Sequence, residues 1–172
     1  MWAKNKHPPG FTIVAYNGIQ NQAIDSRMRN GASQVEKAIR MWHTQVGEQP
    51  RGGWGSTVAV TNSNCSNGTG GWLGTGLYTC AFEDALYAEG LLPSHFVRKL
   101  PVNTHYSPTS TDGRYSMMLY QCSSSNNFGL YWFLKSPTAE DAASLATVEA
   151  AGCSTAPRTT YGMRAAKLLN LP

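Results

Sequence analysis

The stretch that most constrains this chain runs from about Ala15 to Val46. Its apolar positions are Ile24, Met28, Ala32, Val35, Ile39, Trp42 and Val46, separated by 4, 4, 3, 4, 3 and 4 residues. That spacing keeps all seven side chains on one stripe of a helix and does not fit a strand's period of two. The spacing therefore predicts one long amphipathic helix. Gly18 and Gly31 weaken it by roughly 1 kcal/mol each relative to Ala. Gly47 supplies a C-terminal stop, and Pro50 prevents continuation.

Ahead of the helix lies Lys4-Asn5-Lys6-His7-Pro8-Pro9-Gly10, short and basic, and then Phe11-Thr12-Ile13-Val14. This junction resembles the prepilin processing site of bacterial type IV pilins and type II secretion pseudopilins. In that family a basic leader ends in Gly, a prepilin peptidase cuts after it, and the new N-terminal residue is methylated. The resemblance implies a leader over residues 1–10, cleavage between Gly10 and Phe11, and a single pilin-like domain over 11–172. Within it, 11–46 would be the N-terminal helix and 47–172 the globular head. Ala15 to Ala23 resembles the family at the point where the membrane-spanning part of its helix ends.

The chain departs from the family in one respect. Family members carry roughly twenty apolar residues after the Gly-Phe-Thr step, enough to cross a bilayer. Here Phe-Thr-Ile-Val passes straight into Ala-Tyr-Asn-Gly-Ile, and Ala15 stands where the family usually has Glu. The reading is that the apolar segment has been lost, with a similar Thr-Ile-Val at each end of it providing the join. The family's pairing of that Glu with a neighbouring subunit's amino terminus does not carry over.

Four cysteines, Cys65, Cys80, Cys122 and Cys153, occur without any Cys-x-x-Cys spacing. Zinc and thioredoxin-like chemistry are disfavoured, and two disulfides in an oxidising compartment fit better. Of the three connectivities, sequence neighbours suggest Cys65–Cys80 and Cys122–Cys153. The first ten residues contain no apolar signal-peptide core. In the pilin family the apolar segment itself acts as the export signal.

The formal charge is +4, from 14 basic and 10 acidic residues. Removing Lys4 and Lys6 with the leader leaves 12 against 10, or +2. This is too mild to argue for a nucleic-acid partner. Charged residues are few, while Gly, Ser, Thr and Asn are abundant, as suits an extracellular, loop-rich domain.

After the helix, 47–76 reads as irregular and Gly-rich, with one short strand at Ser56–Thr61. Trp54 and Trp72 each sit among glycines. The plain account is that each plugs its loop onto the core, and the sharper one is a surface platform for stacking sugars. Cys80–Gly90 reads as a short helix with Phe82, Ala85 and Leu86 on one face, and with Glu83, Asp84 and Glu89 on a solvated face. Leu91–Pro101 reads as extended. Arg114–Cys122 and Gly129–Ser136 read as a strand pair at the centre of the sheet. The run Tyr131-Trp132-Phe133 implies that both faces of the sheet are covered, with the long helix on one. Thr138 is a helix N-cap with Asp141 three residues on, and an Ala-rich helix follows to Ala151. Residues 154–172 read as a tail with a last helical turn over Gly162–Leu169.

No nucleophile, phosphate-loop, dinucleotide or zinc-protease motif is present. His7, His43, His95 and His105 are scattered. Asp112 in its Thr-Asp-Gly turn is one carboxylate, far short of a calcium ligand set. The expected fold is α+β: a long helix on a small antiparallel sheet, with short extra helices and two disulfides. The resemblance implies a non-enzymatic filament subunit without cofactor or metal. It would reach the cell surface through the inner membrane, and its partners would be the prepilin peptidase, the pilus assembly machinery and other copies of itself. The alternative is a secreted, disulfide-bonded glycan- or surface-binding module that uses Trp54 and Trp72.

Overall fold

A computed structural model describes residues 10–47, 50, 71–74, 82–123 and 126–172. The long helix, α1, spans Gly10–Val46. At 1.5 Å per residue its 37 residues measure about 55 Å. The predicted stripe is the buried one. Met28, Ala32, Val35, Ile39 and Trp42 are buried, and Ile24 and Val46 are half-buried at its two ends. Gly31 lies within this face. A Cβ there would meet Leu100 Cδ2 at 2.6 Å, so the glycine admits a side chain from the 91–101 segment. The helix cost assigned to it is offset by close packing.

The described strands form one three-stranded antiparallel sheet in the order β1 (Met117–Gln121), β2 (Asn127–Trp132), β3 (Ala165–Asn170). Met117 pairs with Trp132 and Leu119 with Leu130. On the other side of β2, Trp132 pairs with Ala165 and Phe128 with Leu169. These residues share one face of the sheet and join the stripe of α1 in a single apolar cluster. The opposite face carries Met118, Tyr131 and Ala166, and packs under Leu145 and Val148 of α3 (Ala139–Ala150). The strand pair and the covering of both faces are as the sequence predicts, but only β2 is central: β1 is an outer strand of the described sheet, and it starts later than expected because Gly113–Tyr115 form a 3-10 helix.

The helix α2 (Phe82–Ala88) buries Phe82, Ala85 and Leu86 against α1, with Phe82 edge-on to Trp42 at 5.1 Å between ring centroids. Glu83 departs from the expected solvated face. It is buried, and its carboxylate accepts a hydrogen bond from the Val97 backbone N–H at 2.5 Å. This contact turns the segment expected to be extended into turns and a short 3-10 helix over Val97–Lys99. A buried carboxylate that pairs with the Val97 backbone N–H supports a turned course where an extended one was expected.

The last predicted helical turn is instead β3, preceded by a short helix, α4 (Ala156–Thr159). Ala165-Ala166-Lys167-Leu168-Leu169 favours helix by local propensity. The free edge of β2 and the apolar cover on both sides decide otherwise. The other edge of the sheet is covered too: Gly71 O accepts from Leu119 N, and Leu73 N donates to Met117 O. Residues 71–73 thereby occupy the outer hydrogen-bonding edge of β1.

One disulfide joins described residues, Cys122–Cys153, tying the end of β1 to the segment after α3. Cys65, Cys80, Trp54 and the predicted strand Ser56–Thr61 lie outside the described residues.

Candidate functional site

The helix α1 divides into two stretches by what it touches. From Asp25 onward it packs on the sheet. Residues 16–20 are all exposed, with Tyr16 at 61 % and Ile19 at 66 %. Tyr16, Ile19 and Ala23 recur at i, i+3 and i+7 and so share a face. The predicted processing pair, Gly10 and Phe11, forms the first two residues of this helix. No helix among the described residues is long and apolar enough to cross a membrane.

The boundary between the two stretches is fixed by polar contacts that periodicity does not reveal. Asp25 is 2 % exposed, and its two carboxylate oxygens accept from the backbone N–H groups of Lys135 and Ser136 at 2.7 and 2.8 Å. One turn on, Arg29 Nη2 donates to Asp141 Oδ2 at 2.7 Å. Asp141 also caps α3: its carboxylate accepts from Thr138 N–H, and its own N–H donates to Thr138 Oγ1. Burial pushes the Asp141 carboxyl up, but Arg29 and the Thr138 donors outweigh it and hold the group below the usual range. The turn between β2 and α3 is thus clamped to α1 at two successive helical turns.

On the α3 side of the sheet lies an aromatic cluster. Trp72 packs against Tyr106, Tyr115 and Tyr161 at centroid distances of 4.8, 5.1 and 5.2 Å. Trp72 is 4 % exposed and bridges to Met118, so its ring plugs the core instead of facing solvent as a sugar platform. Of these rings Tyr106 is the most exposed, at 40 %. Sequence reading passed over Tyr106 because it sits in a Thr-His-Tyr-Ser-Pro loop with no periodic pattern.

Beside this cluster, Ser107, Thr109, Ser110, Thr111, Arg114 and Tyr115 line a polar crevice. Asp112 lies between the lining residues Thr111 and Arg114 in the chain. Arg114 Nε and Nη2 donate to the Asp112 carboxylate at 2.8 and 2.7 Å, and Arg98 Nη2 adds a third side-chain contact at 3.3 Å. The Arg114 guanidinium, its backbone N–H and Arg98 together hold the Asp112 carboxyl well below the usual carboxylate range. With its oxygens so occupied, Asp112 is not available as a metal ligand. No group of three or more potential metal ligands occurs among the described residues.

His43 Nε2 lies 2.8 Å from Pro172 O at the end of α1, while His95 and His105 are exposed on the 91–106 segment. The structure does not bring the described histidines together.

No family model, no curated protein and no solved structure matches this chain.

Proposed function

We propose that this chain is the structural subunit of a type IV pilus or related pseudopilus filament, processed by a prepilin peptidase between Gly10 and Phe11. The observation that carries the reading is the division of α1. The part from Asp25 to Trp42 is buried on a three-stranded sheet, while the part before it presents Tyr16 and Ile19 to solvent. A helix in water draws most of its stability from packing. Apolar side chains on an otherwise uncovered stretch are satisfied by the same stretch of neighbouring copies. In this reading the α1 helices bundle along the filament axis and the sheet, α3 and the disulfide form the outward-facing head.

The partners are other copies of the chain, the prepilin peptidase and the assembly machinery in the inner membrane, and the address is the cell surface. Neither a cofactor nor a nucleic acid enters the function, and no catalysis is assigned. A second disulfide, Cys65–Cys80, completes the head.

Mass spectrometry of the N-terminal peptide of protein recovered from cells tests the reading. A methylated Phe followed by a long apolar run supports it and places that run ahead of Ala15. A methylated Phe11 leading directly into Ala15-Tyr16 also supports it and defines a short variant. An intact Met1 running unmodified through Gly10-Phe11 in a protein that forms no filaments overturns it.

A further inference from the structure

The two outer strands of the described sheet differ at their edges. Residues 71–73 take up the outer hydrogen-bonding groups of β1. Along β3 no such cover is seen among the described residues. Leu171 N–H donates to Asn126 O, and Leu169 and Lys167 lie opposite Phe128 and Leu130. This register turns the backbone groups of the odd-numbered residues toward β2 and those of Ala166, Leu168 and Asn170 outward.

The outward groups divide into capped and open ones. Ala166 N–H donates to Ser144 Oγ at 3.2 Å, and Asn170 O accepts from Arg40 Nη1 at 3.2 Å. Between these ends, Ala166 O, Leu168 N–H, Leu168 O and Asn170 N–H make no hydrogen bond to the described residues. Lys167 and Asn170 are exposed and Leu168 is half-buried, so the run is open to solvent. Around Ser144, α3 carries Ala143 and Thr147, small side chains that leave the strand reachable past the helix.

The pattern of open groups is its own complement. Consider a second β3 laid antiparallel, with Leu168 opposite Leu168 of the other copy. Leu168 N–H of each strand then donates to Leu168 O of the other, and Asn170 N–H of each donates to Ala166 O of the other. All the open groups are used and none is left over. The caps have the matching polarity. An acceptor, Ser144 Oγ, stands where Asn170 O of a second strand would come, and a donor, Arg40 Nη1, stands where its Ala166 N–H would come. Both sit on side chains, which rotate aside. On the α3 face the two Leu168 side chains meet and cover each other's exposed surface. On the α1 face Lys167 of one strand lies diagonal to Lys167 of the other, and this like-charge pair keeps the contact weak.

We propose that β3 pairs with β3 of a second copy of this chain, across a two-fold axis at Leu168, joining the two sheets into one. The two-fold runs the two α1 helices in opposite directions. Subunits of one filament, whose α1 helices run the same way, cannot make this contact, so the inference goes beyond the filament reading and does not rest on it.

The test is sedimentation velocity of the full chain from about 20 µM to about 1 mM, with hydrogen exchange of its amides at both ends of that range. The expected result is a monomer–dimer equilibrium with a Kd on the order of 0.1 mM, as suits a small contact. The Leu168 and Asn170 amides should exchange about fourfold more slowly at the higher concentration, in step with the fall in monomer, while the Lys167 amide, which faces β2, is unchanged. Asn170→Pro removes an N–H that points away from β2, so it spares the internal ladder. It should weaken the dimer at least about tenfold and leave the melting temperature within about 3 °C. If that variant does not fold, the exchange measurement on the unsubstituted chain decides alone. A monomer throughout the range, a dimer whose Leu168 amide exchanges as fast as in the monomer, or a folded Asn170→Pro that dimerises as well as the parent chain would each overturn the proposal.

Discussion

Replacing Asp25 by Ala should destabilise this domain more than any single truncation in its apolar stripe of similar size. The carboxylate is buried and accepts two backbone N–H groups, from Lys135 and Ser136, across more than a hundred residues of chain. Each is a hydrogen bond to a charged group, worth about 1.5–3 kcal/mol, and its removal leaves the donor without a partner. Part of that gain is offset in the wild type by the cost of burying the charge. The expected loss is therefore about 3–5 kcal/mol, a large share of the roughly 5–15 kcal/mol that holds a domain of this kind together. With a urea m-value of about 2 kcal/mol/M, the midpoint should fall by about 2 M. Asp25→Leu discriminates between causes. If the site needed only filled volume, Leu would restore the midpoint. If it needs acceptors, Leu is as damaging as Ala. The exposed neighbour Ser26 provides the control, and Ser26→Ala should move the midpoint by no more than about 0.3 M. A cost below about 1 kcal/mol for Asp25→Ala, or recovery in Asp25→Leu, would refute the reasoning.

Asn103→Ala removes four hydrogen bonds at a fully buried position and should cost about 3 kcal/mol, read as a fall of about 6–12 °C in thermal melting. The double variant Cys122→Ser/Cys153→Ser opens a loop with a sequence separation of 31 and should cost about 2–4 kcal/mol in chemical denaturation, with reductant leaving the variant unaffected at this bond. Acid should unfold the protein through Asp112 and Asp141. Both carboxyls are held below their unfolded value of 3.8, so their contributions are complete above about pH 5 and are lost as pH falls through the folded-state values. Arg29→Met should lower stability at pH 6 while flattening its decline between pH 6 and pH 3, measured by urea midpoints at each pH.

The elements legible in the sequence are those whose periodicity and propensity agree with their final environment. The stripe Met28 to Trp42 needed only a 3.6-residue repeat, and the Thr138–Asp141 cap needed only its four-residue signature. Both are local, and both appear where the pattern places them. The strand pair was legible because both segments are rich in aromatic and apolar residues that need cover on both faces. The third strand was not, because Ala165 to Leu169 would form a helix if left alone. Its conformation is decided by the vacant edge of β2, against which Lys167 comes to lie opposite Leu130. A partner contributed from elsewhere in the chain leaves no trace in the segment that receives it.

The same distinction separates the groups that position the candidate sites from those a motif can find. Asp25 interrupts no apolar repeat and matches no signature, yet it joins α1 to the turn after β2. Glu83 occupies a position that charge alone assigns to solvent, and it is buried because Val97 N–H needs an acceptor there. Trp72 and Tyr106 show the reverse error. A tryptophan among glycines attracts attention as a surface platform, but its size is better used under three tyrosine rings. The plainer Tyr106 is then left at the surface. Large aromatic residues are drawn inward in proportion to the apolar area they can bury, and a tyrosine can keep its polar end wet at the rim. The ring to test first in any binding role for this domain is therefore Tyr106, since solvent reaches it while the fold retains Trp72.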